Sequence, residues 1–150
     1  SIAVNTLPDF DDEYYFHNSP VQVAATPESL WQFDGWTGDL SGTDSLNTLL
    51  MDEDKTIGAT FSEITYTLTV VIQGDGSVSL DPDGEFIEDE LLDNSFEYTY
   101  TSNTDISIEA IPGDSSSDVI QWLQNGELIN VANPYTITLT EDTAITVIFQ

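Results

Sequence analysis

His17 is the single histidine of the chain, and it lies two residues before Ser19. A histidine, a serine and one of many aspartates are the ingredients of a nucleophilic triad, which also needs a donor-lined hollow for the oxyanion. No oxyanion-loop signature accompanies His17, so it reads as a surface histidine. Paired carboxylates of the glycosidase kind carry little information among 28 acidic residues, and no cleft is evident in units this small. Calcium is a better match to the acids. Asp81-Pro82-Asp83-Gly84-Glu85 alternates hard oxygens around a glycine, with Glu88, Asp89 and Glu90 close behind to complete six or more ligands. It lacks EF-hand spacing, and the competing reading is a solvated acidic loop. Asp9, Asp11, Asp12 and Glu13 form a weaker cluster of the same kind. Sugar recognition needs an exposed aromatic, for which Trp31 is the candidate, joined by Tyr14, Tyr15 and Tyr66. Packing of Trp31 against a neighbouring strand is the competing role. Lys55, the only lysine, invites an isopeptide crosslink but reads as a turn residue.

Composition limits what such residues serve. The 150-residue chain has a formal net charge of −27, with one basic Lys/Arg residue against 28 acids. A folded chain of this mass exposes roughly 7,500 Å². Its charges sit within one Debye length of each other at 0.01 M salt (about 30 Å) and beyond it at physiological strength (about 8 Å). Such a surface repels phosphate backbones and anionic lipids, so nucleic acid is excluded as a partner. The acids suit either a saline habitat or divalent cations. A hydrophobic fraction of 39% provides a core and argues against disorder. No apolar run reaches the ~20 residues of a membrane helix, so no membrane insertion is expected. With no cysteine, no disulfide framework exists. Ser1 does not begin a signal peptide, and the chain reads as a mature or excised segment of a larger protein.

The elements that position these residues are strands. Ser1 to Asn5, Val21 to Ala25, Thr65 to Ile72, Phe96 to Thr101, Thr104 to Ile111, Val119 to Leu123, Tyr135 to Leu139 and Ala144 to Phe149 are β-rich, separated by Pro, Gly, Asn, Asp and Ser. Thr65 to Ile72 and Ser77 to Leu80 read as a hairpin around Gly74-Asp75-Gly76. The spacing predicts an all-β chain without a long helix.

The pattern is written twice. Ser1 to Asn5 matches Ser77 to Asp81; Tyr15, Asn18 and Val21 to Pro27 match Tyr100, Asn103 and Ile106 to Pro112. Phe33 and Trp36 match Val119 and Trp122; Met51, Glu53-Asp54, Ile57, Ala59 and Phe61 match Leu139, Glu141-Asp142, Ile145, Val147 and Phe149. His17 answers to Ser102, a further reason to set the triad aside. Thr65 to Ile72 has no counterpart, so the first unit should lack a strand. The predicted division is a first repeat at 1–62 and a second at 63–150, with an acidic insertion near 85–95. Its Phe86, Ile87, Leu91 and Leu92 suggest a short amphipathic turn on the sheet. Alternation puts Ile57, Ala59 and Phe61 on one face and Thr56 and Thr60 on the other. Phe33, Trp36, Phe61, Trp122 and Phe149 are the expected core.

Phe33-x-Gly35-Trp36-x-Gly38-x-Leu40-Ser41-Gly42, followed by Met51-Asp52-Glu53-Asp54-x-Thr56-Ile57-x-Ala59-x-Phe61, resembles the divergent internalin-type B-repeat domain. Leu68-x-Val70-x-x-x-Gly74-x-Gly76-Ser77-Val78 is similar to that family's opening hairpin. The second copy departs from the pattern at Ile120-Gln121 and at Leu123 to Gly126, where Gln121-Trp122-Leu123-Gln124-Asn125-Gly126 has an immunoglobulin-like character. The resemblance implies small β-grasp-like or immunoglobulin-like modules strung along large secreted or cell-surface bacterial proteins, with no catalytic residues to transfer. The expected function is a non-catalytic extracellular spacer, stalk or adhesion segment beside the flanking domains of its parent protein. Its partners would be a glycan or a cell-surface protein. The alternative is a carbohydrate-binding module of a polysaccharide-degrading enzyme. Calcium is the one cofactor that either reading accommodates.

Overall fold

A computed structural model of the chain describes residues 1–4, 14–87, 94–113 and 119–150. These form fourteen strands, with no helix among the described residues. The chain divides into two compact units, Ser1–Ile64 and Thr65–Gln150.

The first unit contains β1 (Ile2–Val4), β2 (Ser19–Ala25), β3 (Trp31–Gly38), β4 (Leu46–Met51) and β5 (Ile57–Glu63). They make a three-stranded sheet, β1-β2-β4, and a two-stranded one, β3-β5. Val21, Val23, Ala25 and Trp36 are buried together, with Phe33, Ile57, Ala59 and Phe61 packed against them. Alternation along β2 supplies three of the four buried residues, since Pro20 and Gln22 are exposed on either side of buried Val21, and Val23 and Ala25 follow at two-residue spacing.

The second unit contains β6 (Thr65–Gln73), β7 (Gly76–Asp81), β8 (Glu85–Ile87), β9 (Ser95–Thr101), β10 (Thr104–Pro112), β11 (Val119–Gln124), β12 (Glu127–Ile129), β13 (Tyr135–Leu139) and β14 (Thr143–Phe149). One sheet runs β13-β10-β7 and the other β12-β11-β14-β6-β9-β8. Leu68 and Val70 of β6, Ile106 and Ile108 of β10, Leu139 of β13 and Ile145 and Val147 of β14 share one core between the sheets. Two facing sheets make a sandwich, the immunoglobulin-like form of the expected all-β architecture. A β-grasp would need a helix across its sheet, and the described residues hold none.

The ladders of the two units coincide in register. Val4 lies opposite Val23 as Leu80 lies opposite Ile108. Leu49 pairs with Val21 as Ile137 pairs with Ile106. Trp36 faces Ala59 as Trp122 faces Val147, and a bulge follows Phe33 where one follows Val119. Even the turns repeat: Asn18 and Asn103 adopt φ of 66° and 64°, and their N–H groups donate to Met51 O and Leu139 O. Asparagine tolerates this left-handed backbone better than most residues.

Several expectations are corrected. β6 and β7 are not a hairpin, because β7 pairs with β10 while β6 pairs with β9 and β14. The chain between them crosses from one sheet to the other above Phe149. A side chain at Gly74 would strike Phe149 O, and one at Gly76 would lie 2.6 Å from the Phe149 ring. Glycine is required by that close passage. Residues 85–87 of the insertion form a strand on β9, with Phe86 against Tyr98 at 5.5 Å, instead of an amphipathic turn. Leu91 and Leu92 lie outside the described residues. Leu46–Met51 and Glu127–Ile129 are strands that composition did not announce.

Candidate functional site

The acidic loop is built onto a pair of tyrosines. β7 ends at Asp81 and β8 begins at Glu85, so Pro82-Asp83-Gly84 bridges the two sheets. Tyr100 donates its hydroxyl to Pro82 O at 3.1 Å. A Cβ on Gly84 would meet the Tyr100 ring at 2.6 Å and Tyr98 Cβ at 2.9 Å, so the loop lies directly on both. Burial pushes the Tyr100 phenol up to about 12, with the Tyr98 ring and Asp83 adding to it. Burial, then Asp83, raises Tyr98 as well. Asp81, Asp83 and Glu85 are all exposed. Among the described residues no group of three or more His, Cys, Asp or Glu side chains is arranged to hold a metal. Glu88, Asp89 and Glu90, which were to complete the calcium shell, lie outside the described residues, as do Asp9, Asp11, Asp12 and Glu13.

The aromatic candidates separate into three places. Trp31, 39% exposed at the start of β3, lines a hollow of about 350 Å³ with Ser1, Glu28 and Phe61. Tyr14 and Tyr15 line a different groove of about 480 Å³ with His17, Met51, Glu53, Asp54 and Lys55. Tyr66 belongs to the second unit, where it packs against the core. Within the first unit, Trp31 and the Tyr14–Tyr15 pair thus line separate hollows. Trp31 and Tyr14, 39% and 60% exposed, have the open faces that sugar stacking needs.

His17 is exposed on the groove wall. Lys55 Nζ is held by Asp52 at 2.7 Å and Glu53 at 3.0 Å. Those hydrogen bonds raise the Lys55 pKa and lower that of Asp52, keeping the amine protonated and unsuited to nucleophilic attack.

Trp36 and Trp122, each 5% exposed, are packing. Trp36 Nε1–H donates to Asp44 O at 2.8 Å, which satisfies its one polar atom. Phe33 contacts Trp36 and Phe61 edge-on at 5.4 and 5.7 Å, and Trp122 meets Tyr135 at 6.0 Å. Phe61 is half-buried, whereas its counterpart Phe149 is buried.

The groove beside Tyr15 is the feature that reading residue by residue missed, although the unmatched strand pointed to it. Its lining positions answer to Tyr100, Ser102, Leu139, Glu141, Asp142 and Thr143. In the second unit β6 runs there: Tyr66 lies opposite Tyr100, Leu68 opposite Thr143, and Thr67 N–H donates to Asp142 Oδ1 at 2.8 Å.

No helix among the described residues is long and apolar enough to cross a membrane. None of the curated proteins matches the chain. Among solved structures, the chain is similar to the major pilin protein (T-13) from Streptococcus pyogenes serotype GAS131465, at 13% identity and a TM-score of 0.43. That alignment covers 87% of this chain and 64% of the pilin, so the chain spans less than two thirds of that protein's length. Residues 6–65 match the family model of the divergent InlB B-repeat domain, a span that includes Phe33 to Gly42 and Met51 to Phe61. The first unit of this chain is thus similar to a divergent B-repeat over those residues.

Proposed function

We propose that the chain is a non-catalytic structural segment, a spacer or stalk of two tandem β units, in a larger secreted or cell-surface bacterial protein. The observation that carries this reading is the use of its chemistry-bearing side chains in the framework. Trp36 and Trp122 fill cores, Asp142 ties β6 to β14, Tyr100 anchors the 82–84 loop, and Lys55 closes a turn. The acids that remain are solvation, which suits a segment held apart from its neighbours. The division into repeats at 1–62 and 63–150 belongs to the same reading.

A second reading, a carbohydrate-binding module, is favoured by one observation, the exposed Trp31 beside its hollow. Screening the whole chain on a glycan array separates the two. A flat array supports the spacer; binding that disappears in Trp31→Ala replaces it with the sugar reading. Calcium stiffening at Asp81, Asp83 and Glu85, extended by Glu88 and Asp89, is tested by melting in millimolar CaCl2 against NaCl of equal ionic strength. A larger shift in calcium supports a specific site, and identical shifts reject it.

A further inference from the structure

We propose that Asn125-Gly126, the turn between β11 and β12, is a self-modification site at which Asn125 deamidates while the second unit stays folded. Asn125 is the one asparagine of eight that precedes a glycine. Water is the only co-reactant. The Gly126 backbone nitrogen attacks Asn125 Cγ, the new N–C bond closes a five-membered imide, and ammonia leaves with the proton that Gly126 N–H gives up. Water then opens the imide at either carbonyl, to aspartate or to isoaspartate. The attack is intramolecular, and glycine removes the Cβ that would obstruct it.

The structure separates this dipeptide from three others able to form the same ring by losing water, Asp34-Gly35, Asp75-Gly76 and Asp83-Gly84. A Cβ on Gly35 would lie 3.3 Å from Gly42 O, one on Gly76 would lie 2.6 Å from the Phe149 ring, and one on Gly84 would lie 2.6 Å from the Tyr100 ring. Those glycines are held by packing. Nothing lies within 4 Å of the same position on Gly126, and both residues of the turn are exposed.

Two bonds restrain the reacting residue. Ala144 N–H donates to Asn125 Oδ1, and Asn125 N–H donates to Ala144 O, each at 2.8 Å. Ring closure swings the side chain toward Gly126, so both bonds must break. Two ordinary hydrogen bonds slow the reaction about thirtyfold relative to a free peptide. A reaction that waited for the whole unit to unfold would be slowed at least ~1,000-fold.

The first unit shows that an aspartate fits this place. Asp39 is the counterpart of Asn125: Thr56 N–H donates to Asp39 Oδ2 at 2.6 Å, and Asp39 N–H donates to Thr56 O at 2.8 Å. The aspartate product closes the same clasp and adds one negative charge. The isoaspartate product instead carries an extra methylene in the backbone of the turn. That displaces Glu127, Leu128 and Ile129 from Gln124, Leu123 and Trp122, their partners on β11. One product is silent and the other detaches β12. This inference goes beyond the spacer reading and holds equally for a sugar-binding module.

The test incubates the whole chain at neutral pH beside a synthetic peptide of residues 121–129, and follows both by peptide mass mapping that resolves aspartate from isoaspartate. Amide-to-acid conversion confined to Asn125 is expected, about thirtyfold slower in the chain than in the peptide. The purified isoaspartate form should lose hydrogen-exchange protection at 127–129 and keep it at 145–149. Asn125→Asp should melt as the parent does and keep the Ala144 amide protected. Conversion slowed ~1,000-fold or more overturns the proposal, because the reaction then needs the unfolded unit. Equal conversion at other asparagines, or loss of Ala144 protection in Asn125→Asp, overturns it as well.

Discussion

Leu68→Ala is the most direct test of how the second unit is held together. Leu68 is fully buried at the middle of β6, with Tyr98 and Thr143 opposite it on the two flanking strands. Truncation removes three methylene equivalents, about 2.4 kcal/mol at roughly 0.8 kcal/mol each. β6 is clamped from both sides and cannot collapse into the gap, so a cavity term raises the loss to about 3–4 kcal/mol. For a unit of this size each 1 kcal/mol corresponds to about 4–8 °C, which places the shift at roughly 12–30 °C. Hydrogen exchange with mass spectrometry on the full chain reads both units in one experiment. Segments 68–72 and 145–149 should lose protection by two orders of magnitude or more, while 21–25 keeps its rate, because the first core contains none of these residues. Leu50→Ala, at a half-exposed position of β4, should cost no more than about 0.5 kcal/mol. A loss below about 1 kcal/mol for Leu68→Ala would refute the argument that β6 is the central strand of this core.

Three further outcomes are expected. Tyr100 has a folded pKa near 12 against about 10 when unfolded. Its contribution is complete below pH 10 and is lost as pH rises from 10 to 12, by up to about 2–3 kcal/mol; denaturant midpoints across that window should fall less steeply in Tyr100→Phe. Asp39→Asn should be nearly neutral because Asn125 makes the same bond in the second unit, whereas Asp39→Ala should cost about 1 kcal/mol, read from urea midpoints. With a net charge of −27, the melting temperature should rise between 0.01 and 0.15 M NaCl and then flatten; independence of salt would contradict charge strain.

The tandem motif, the alternation of Ile57, Ala59 and Phe61, and the unmatched stretch Thr65 to Ile72 were all legible in the chain itself. Each depends on local periodicity, and periodicity survives in a linear string. The inward tryptophans followed from the same logic, since a large aromatic at a repeated position costs most when left in water.

Strand partners belong to the tertiary structure. Nothing local in Thr65 to Gln73 says that it pairs in parallel with a strand some 75 residues later, and the glycines after it suggested a hairpin instead. The folded chain uses those glycines to pass over Phe149, a contact between residues far apart in sequence. Likewise nothing local in Asp81 to Glu85 says that Gly84 and Pro82 rest on Tyr98 and Tyr100. Periodicity assigns a residue to a face; only packing against distant segments determines what that face meets.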